Sequence, residues 1–151
     1  MSITTTISAL QARHAALNLR APTNPPDVVE GALCPLVVVD AMNALTQWQA
    51  HAGDLAIERR LYKVRLLTEL VGFNTGVYEA RGRAVGQLDT LLASYRADPR
   101  LSATVTILIE AADGLRDTGV LPHPGKDNAV RYGDRQFVGA ELELMIEERY
   151  E

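Results

Sequence analysis

The sequence predicts an α+β domain: a mostly antiparallel sheet with two main helices packed on it and a long loop before the last strand. Three observations predict it. Apolar residues recur every three to four positions near the N-terminus and again after residue 74, which marks two helices with one buried stripe each. Two long stretches, 57–71 and 140–150, alternate apolar and polar residues, as strands with one face on a core do. The 151 residues suffice for one domain, 1–151, and not for two ordinary ones.

Each element has its own signals. Ile3, Ile7, Leu10, His14 and Leu17 form the stripe of the first helix, with Ser2 or Thr4 able to cap it and Pro22 just beyond its end. Ala21 to Gly31 holds Pro22, Pro25 and Pro26 and reads as an extended connector. Leu33 to Val39 is a short apolar run that fits a buried strand, with Pro35 near its start where a ladder donor can be spared. Met42 to Gln49 fits no single pattern, and Gly53–Asp54 is a turn candidate. In the strand from Ile57 to Val71, the even-numbered Tyr62, Val64, Leu66, Thr68 and Leu70 are expected on the core side. Asn74 to Arg96 is helical: Val77, Ala84, Leu88, Leu91, Leu92 and Tyr95 share a face, Asn74 or Thr75 can cap it, and Asp98–Pro99 closes it. Leu101 to Glu110 is a strand with Val105, Ile107 and Ile109 on one side. Ala111 to Gly139, rich in glycine, proline and charge, reads as a long loop in which only Ala129–Tyr132 is strand-like. In the last strand, Ala140 to Tyr150, residues Ala140, Leu142, Leu144 and Ile146 point inward while Glu141, Glu143 and Glu147 point outward to solvent.

Composition narrows the class. With 47% hydrophobic and 23% charged residues the chain is globular rather than disordered. The single cysteine, Cys34, rules out an internal disulfide framework and any multi-thiolate metal site. No apolar run approaches the roughly 20 residues that span a bilayer, and the polar N-terminus is unlike a signal peptide, so a cytoplasmic site is expected. A net charge of −4 argues against a protein that grips nucleic acid by its phosphates. Only Lys63 and Lys126 among the 15 basic residues are lysines; arginine's planar fork suits fixed ion pairs at contact surfaces, and a coding bias gives the same count.

No catalytic or cofactor signature is present, and no metal site is expected. His14, His51 and His123 lack metal-ligand spacing to one another or to Cys34, and His14 lies on an apolar stripe, where a hydrogen-bonded core histidine is expected. Cys34 reads as a small hydrophobe. Pro124-Gly125-Lys126-Asp127 lacks the earlier glycine and the following Ser or Thr of a phosphate loop, Val120 and Asp127 standing there instead. The glutamates of the last strand lack the burial that tunes a catalytic carboxyl.

Contact features stand out instead. The stretch Glu58–Arg65 carries Arg59, Arg60, Lys63 and Arg65 against Glu58, a net +3, and Glu141–Glu151 carries five glutamates against Arg149, a net −4. These strips pair either on neighbouring antiparallel strands or between subunits. Leu61, Leu67 and Met145 lie among these charges, as on a contact rim or on a sheet face covered by the N-terminal helix. Gly82 and Gly86, one turn apart, serve close packing on the domain's own sheet or close approach by another subunit, with Arg81 and Arg83 beside them.

The ending Gly133-Asp134-Arg135-Gln136-Phe137-Val138-Gly139-Ala140-Glu141-Leu142-Glu143-Leu144-Met145-Ile146-Glu147 resembles that of tail terminator (tail completion) proteins of long-tailed bacteriophages. So do the helix and proline-bearing connector, the Leu33-Cys34-Pro35 start of the first strand, and the long strand leading through Gly72 into the second helix. The resemblance implies a non-enzymatic virion protein whose copies form a ring, commonly a hexamer, at the head-proximal end of the tail. It would cap the tail-tube protein and meet the head connector, with DNA passing through without specific binding. Under that reading the Arg59–Arg65 segment and the closing strand, with Glu141 and Glu143, make ring or intra-sheet contacts. Arg131, Tyr132, Arg135 and Phe137 of the long loop reach the neighbouring ring or tube. Another neck, head-completion or tail-tube protein, a monomeric adaptor, and a small cytosolic α/β enzyme or ligand-binding domain with the loop as lid are the competing expectations.

Overall fold

The computed structural model describes residues 2–50, 56–71, 77–108, 115–120 and 130–150, with backbone alone at 42–50, 56, 77–78, 115–120 and 150. Helix α1 (Ile3–Ala16) starts where the extended Ser2 accepts the Thr5 N–H on its hydroxyl at 3.1 Å. It ends at Asn18, whose φ of 63° is a left-handed conformation that asparagine tolerates. Thr6, Leu10, Gln11 and His14 are its buried stripe. Ile3, expected on that stripe, stands in the first turn and is exposed.

Strands β1 (Leu36–Ala50), β2 (Ala56–Leu70) and β6 (Arg135–Tyr150) make the body of a sheet that has six strands among the described residues, these strands pairing antiparallel and the body ordered β1-β2-β6. On the far side of β6, three short strands follow one another along its length: β3 (Val105–Ile107), β4 (Leu115–Val120) and β5 (Val130–Tyr132). Helix α2 (Val77–Ala97) and α1 lie on the same face. The main core joins Leu10 of α1 and Leu88, Leu91, Leu92 and Tyr95 of α2 to the even-numbered residues of β2 and β6. Those include Tyr62, Val64 and Leu66 on β2 and Ala140, Leu142, Leu144 and Ile146 on β6, as alternation predicts.

The alternation breaks at Thr68. Leu67 pairs with Gly139 but Glu69 with Val138, so Thr68 is an extra residue in β2. The bulge turns Thr68 and Glu69 both toward α2, where they bond Gln87 and Arg83, and sends Leu70 to the opposite face. The sequence rule therefore misplaces Glu69 and Leu70. Gly139 is the other half of this device: a Cβ there would lie 1.8 Å from the Leu66 carbonyl oxygen, so only glycine fits.

The opposite face has a smaller core of Val29, Leu36, Val38, Leu67, Val130 and Phe137. The connector rather than α1 covers it, which corrects the expectation that the N-terminal helix lies over this face. The β5–β6 turn holds the connector: the Tyr132 hydroxyl donates to Pro26 O at 2.8 Å, and Arg135 Nη1 is 3.4 Å from Val29 O. Gly133 adopts a φ of 59° in that two-residue turn, which favours glycine.

Three boundaries differ from expectation. β1 runs on to Ala50, because pairing with β2 extends it through a stretch with no apolar period. The strand expected from Leu101 starts only at Val105, since residues 99–102 fold back on β3 through Ile107 N–H to Pro99 O at 2.8 Å. The 111–139 loop contains β4 and β5, and the last strand begins at Arg135. Gly53–Asp54, Asn74, Thr75, Ile109, Pro124–Asp127, His51 and His123 lie outside the described residues.

Candidate interaction surface

A buried polar chain fixes the two helices to the sheet. Both amide hydrogens of Gln11 donate to backbone carbonyls, Pro22 O at 3.0 Å and Val37 O at 2.9 Å. Its Oε1 must then accept, so His14 Nδ1 carries a proton and donates to it at 2.9 Å. His14 Nε2 in turn accepts from the Tyr95 hydroxyl at 2.6 Å. Burial, and behind it the Arg13 charge, lowers the His14 pKa to about 4, so the ring is neutral at pH 7. Arg13 itself adds a tie to the end of α2, 3.0 Å from Asp98. His14 is a satisfied core histidine. Cys34 is half-buried, and burial with the nearby Glu69 carboxylate pushes its thiol up to about 11, which leaves it protonated and weakly nucleophilic.

The complementary strips meet within the chain. Arg59 faces Glu147, Lys63 faces Glu143 and Arg65 faces Glu141 in the β2–β6 register. Arg59 Nε donates to Glu147 at 3.0 Å, Lys63 Nζ is 3.7 Å from Glu141, and Arg65 reaches Asp40 of β1 at 3.0 Å. Of the two placements open at the sequence level, the structure shows the one on neighbouring strands. Glu147, expected in solvent, is only 4% exposed. Burial works to raise its pKa, but hydrogen bonds from Arg149 and Arg59 outweigh it and hold the carboxyl low.

The outer face of α2 is different. Gly82 and Gly86 are exposed, and among the described residues a Cβ at either would meet nothing within 4 Å. Packing on the domain's own sheet therefore does not require them. Val85 beside them is 48% exposed. Arg83 donates to the buried Glu69 at 2.6 Å, and Arg81 Nε is buried with no hydrogen-bond partner among the described residues. Two shallow hollows of about 250 and 220 Å³ share Arg83 and Gln87; Leu17, Leu19 and Gly86 line one, Cys34 and Glu69 the other.

The expected loop anchors divide. Phe137 is fully buried in the smaller core, with Leu70 packed against that core, so it is not an external anchor. Tyr132 and Arg135 are engaged by the connector, and Arg131 is exposed on β5 opposite Gln136. The sequence did not mark the connector as their partner, because the contacts span more than a hundred residues.

No protein-family model matches the chain, and no curated protein matches it. Among the described residues, no helix is long and apolar enough to cross a membrane.

Proposed function

We propose that this protein is a structural subunit that works by packing against copies of itself, forming a ring that closes the head-proximal end of a phage tail tube and meets the head connector. The observation that carries the packing part is the exposed pair Gly82 and Gly86 on α2, with open space above both. Glycine in an exposed helix interior costs about 1 kcal/mol relative to alanine, so two of them on one face need a use outside the fold. Close approach of another backbone supplies that use, and the exposed Val85 gives the contact an apolar centre. The resemblance of the closing strand, the connector and the long second strand to tail terminators supplies the position in the particle.

Closure of a heterologous ring limits growth sideways, and the ring's free surface then blocks further addition of tube subunits. The test is to add the purified chain to the tail-tube protein of its own genome during polymerisation. Tubes that stop short and carry a ring at one end are expected, and Gly86→Leu is expected to abolish the effect while keeping its far-ultraviolet circular dichroism. Tubes of unchanged length and bare ends overturn the proposal.

A further inference from the structure

The sheet carries one row of charge that runs from edge to edge. Asp40 of β1 pairs in register with Lys63 of β2, Lys63 with Glu143 of β6, and Glu143 with Arg116 of β4. The signs alternate −, +, −, +, and the row ends with opposite charges at the two sides of the sheet. Asp40 is exposed there, and Arg65 engages its Oδ2 at 3.0 Å.

Among the described residues, both sides lack a strand partner at that level. At the start of β1 the outward backbone groups are used: Val37 N–H donates to Arg20 O at 2.8 Å, and Val37 O accepts from Gln11. Val39 and Ala41, two and four residues on, turn their N–H and C=O the same way, and among the described residues nothing pairs with them. β4 likewise pairs only with β6 among the described residues, whereas the outer side of β3 is closed by residues 99–102. Native sheets blunt free edges with charge, proline or a cover. Here residues 41–50 contain no charge, no proline and no glycine. Asp40 is the one charge within 38–41, and the irregularity between Ala41 and Thr46 leaves residues 38–41 as a regular segment.

We infer that residues 38–41 of one copy pair antiparallel with β4 of the next, setting Asp40 beside the neighbour's Arg116 and carrying the sheet and its alternating charge row from subunit to subunit. Strand direction supports this: β1 and β4 run oppositely within a subunit, so a head-to-tail neighbour meets β1 antiparallel with no reversal. Pairing β1 with its own copy instead brings the two Asp40 carboxylates close together, which like-charge repulsion disfavours, and makes a dimer that cannot extend. The inference rests on the ring reading and names the surfaces that build the ring.

Cysteines at the two ends of the row test it. In a Cys34→Ala background, Asp40→Cys with Arg116→Cys is oxidised with glutathione disulfide and run on a non-reducing gel. A covalent ladder up to the full ring is expected, with each single variant giving dimers at most. Hydrogen exchange on the unaltered protein is the second reading, with slower exchange expected at 38–41 and 115–120 in the assembled form than in dilute monomer. Asp40→Asn is expected to raise the concentration for half-assembly about two- to fivefold. Assembly of the unaltered protein with neither ladder nor protection at these edges overturns the edge pairing and leaves the ring reading standing. A protein that stays monomeric at every concentration overturns both.

Discussion

The two faces of the sheet do different work. The face under α1 and α2 carries the main core from β1 to β3, and polar groups within it pair locally: Gln11, His14 and Tyr95 with one another, Thr68 and Glu69 with Gln87 and Arg83. The opposite face carries a smaller core where the connector crosses it and charge beyond, with Asp40, Lys63, Arg65 and Glu141 in linked ion pairs and Glu147 paired with Arg59. Burial of the first face holds the fold, because apolar area removed from water is the dominant favourable contribution. Ion pairs on a half-exposed face contribute much less each, so the second face can be charged for what it meets at little cost to folding.

The comparison breaks most completely where both faces share one backbone feature. Gly139→Ala drives a methyl group into the Leu66 carbonyl. It is expected to cost about 4 kcal/mol or more, read as loss of the urea unfolding transition. Substitution on the helix-covered face comes next. Tyr95→Phe leaves His14 Nε2 without its donor and is expected to cost about 1–3 kcal/mol in the same measurement.

The same network predicts a pH dependence. His14 binds its proton with a pKa of about 4 when folded and 6.5 when unfolded, so the unfolded chain takes up the proton first. Its contribution is whole above pH 6.5 and is lost as pH drops from 6.5 to 4, the loss reaching roughly 3 kcal/mol below that window. Denaturant titrations of the natural protein and of His14→Gln across this window should diverge in slope, since the carboxylates common to both titrate alike.

Much of this contrast was legible in the sequence, and the reason is periodicity. Alternation places Tyr62, Val64, Leu66, Leu142, Leu144 and Ile146 correctly because one face of each strand meets a continuous core. The opposed charges of 58–65 and 141–151 foretell the β2–β6 pairing because register brings them opposite each other. What periodicity cannot carry is an interruption. The bulge at Thr68 swaps the faces of Glu69 and Leu70, and its only sequence trace is Gly139, seventy residues away. β4 escapes notice because Leu115 to Val120 mixes charge and glycine and pairs only through β6. The solvent side of Gly82 and Gly86 depends on how α2 rolls on the sheet, which no local pattern fixes.

Smaller effects sharpen the comparison. Lys63→Glu sets a third carboxylate between Asp40 and Glu143 and is expected to cost about 1–2 kcal/mol, read by thermal unfolding. Gly86→Ala, with nothing near its Cβ, is expected to stabilise the isolated subunit by up to about 1 kcal/mol while weakening self-association. A variant that folds better and assembles worse is the signature of a glycine kept for contact.

The central claim, that the chain acts by binding copies of itself, is tested most directly by sedimentation velocity of the unaltered protein over a thousandfold range of concentration, with tail tubes of the same phage added in a parallel series. The account predicts one closed species of several subunits at high concentration or on the tubes, absent in Gly86→Leu. A single monomeric species throughout both series would contradict it.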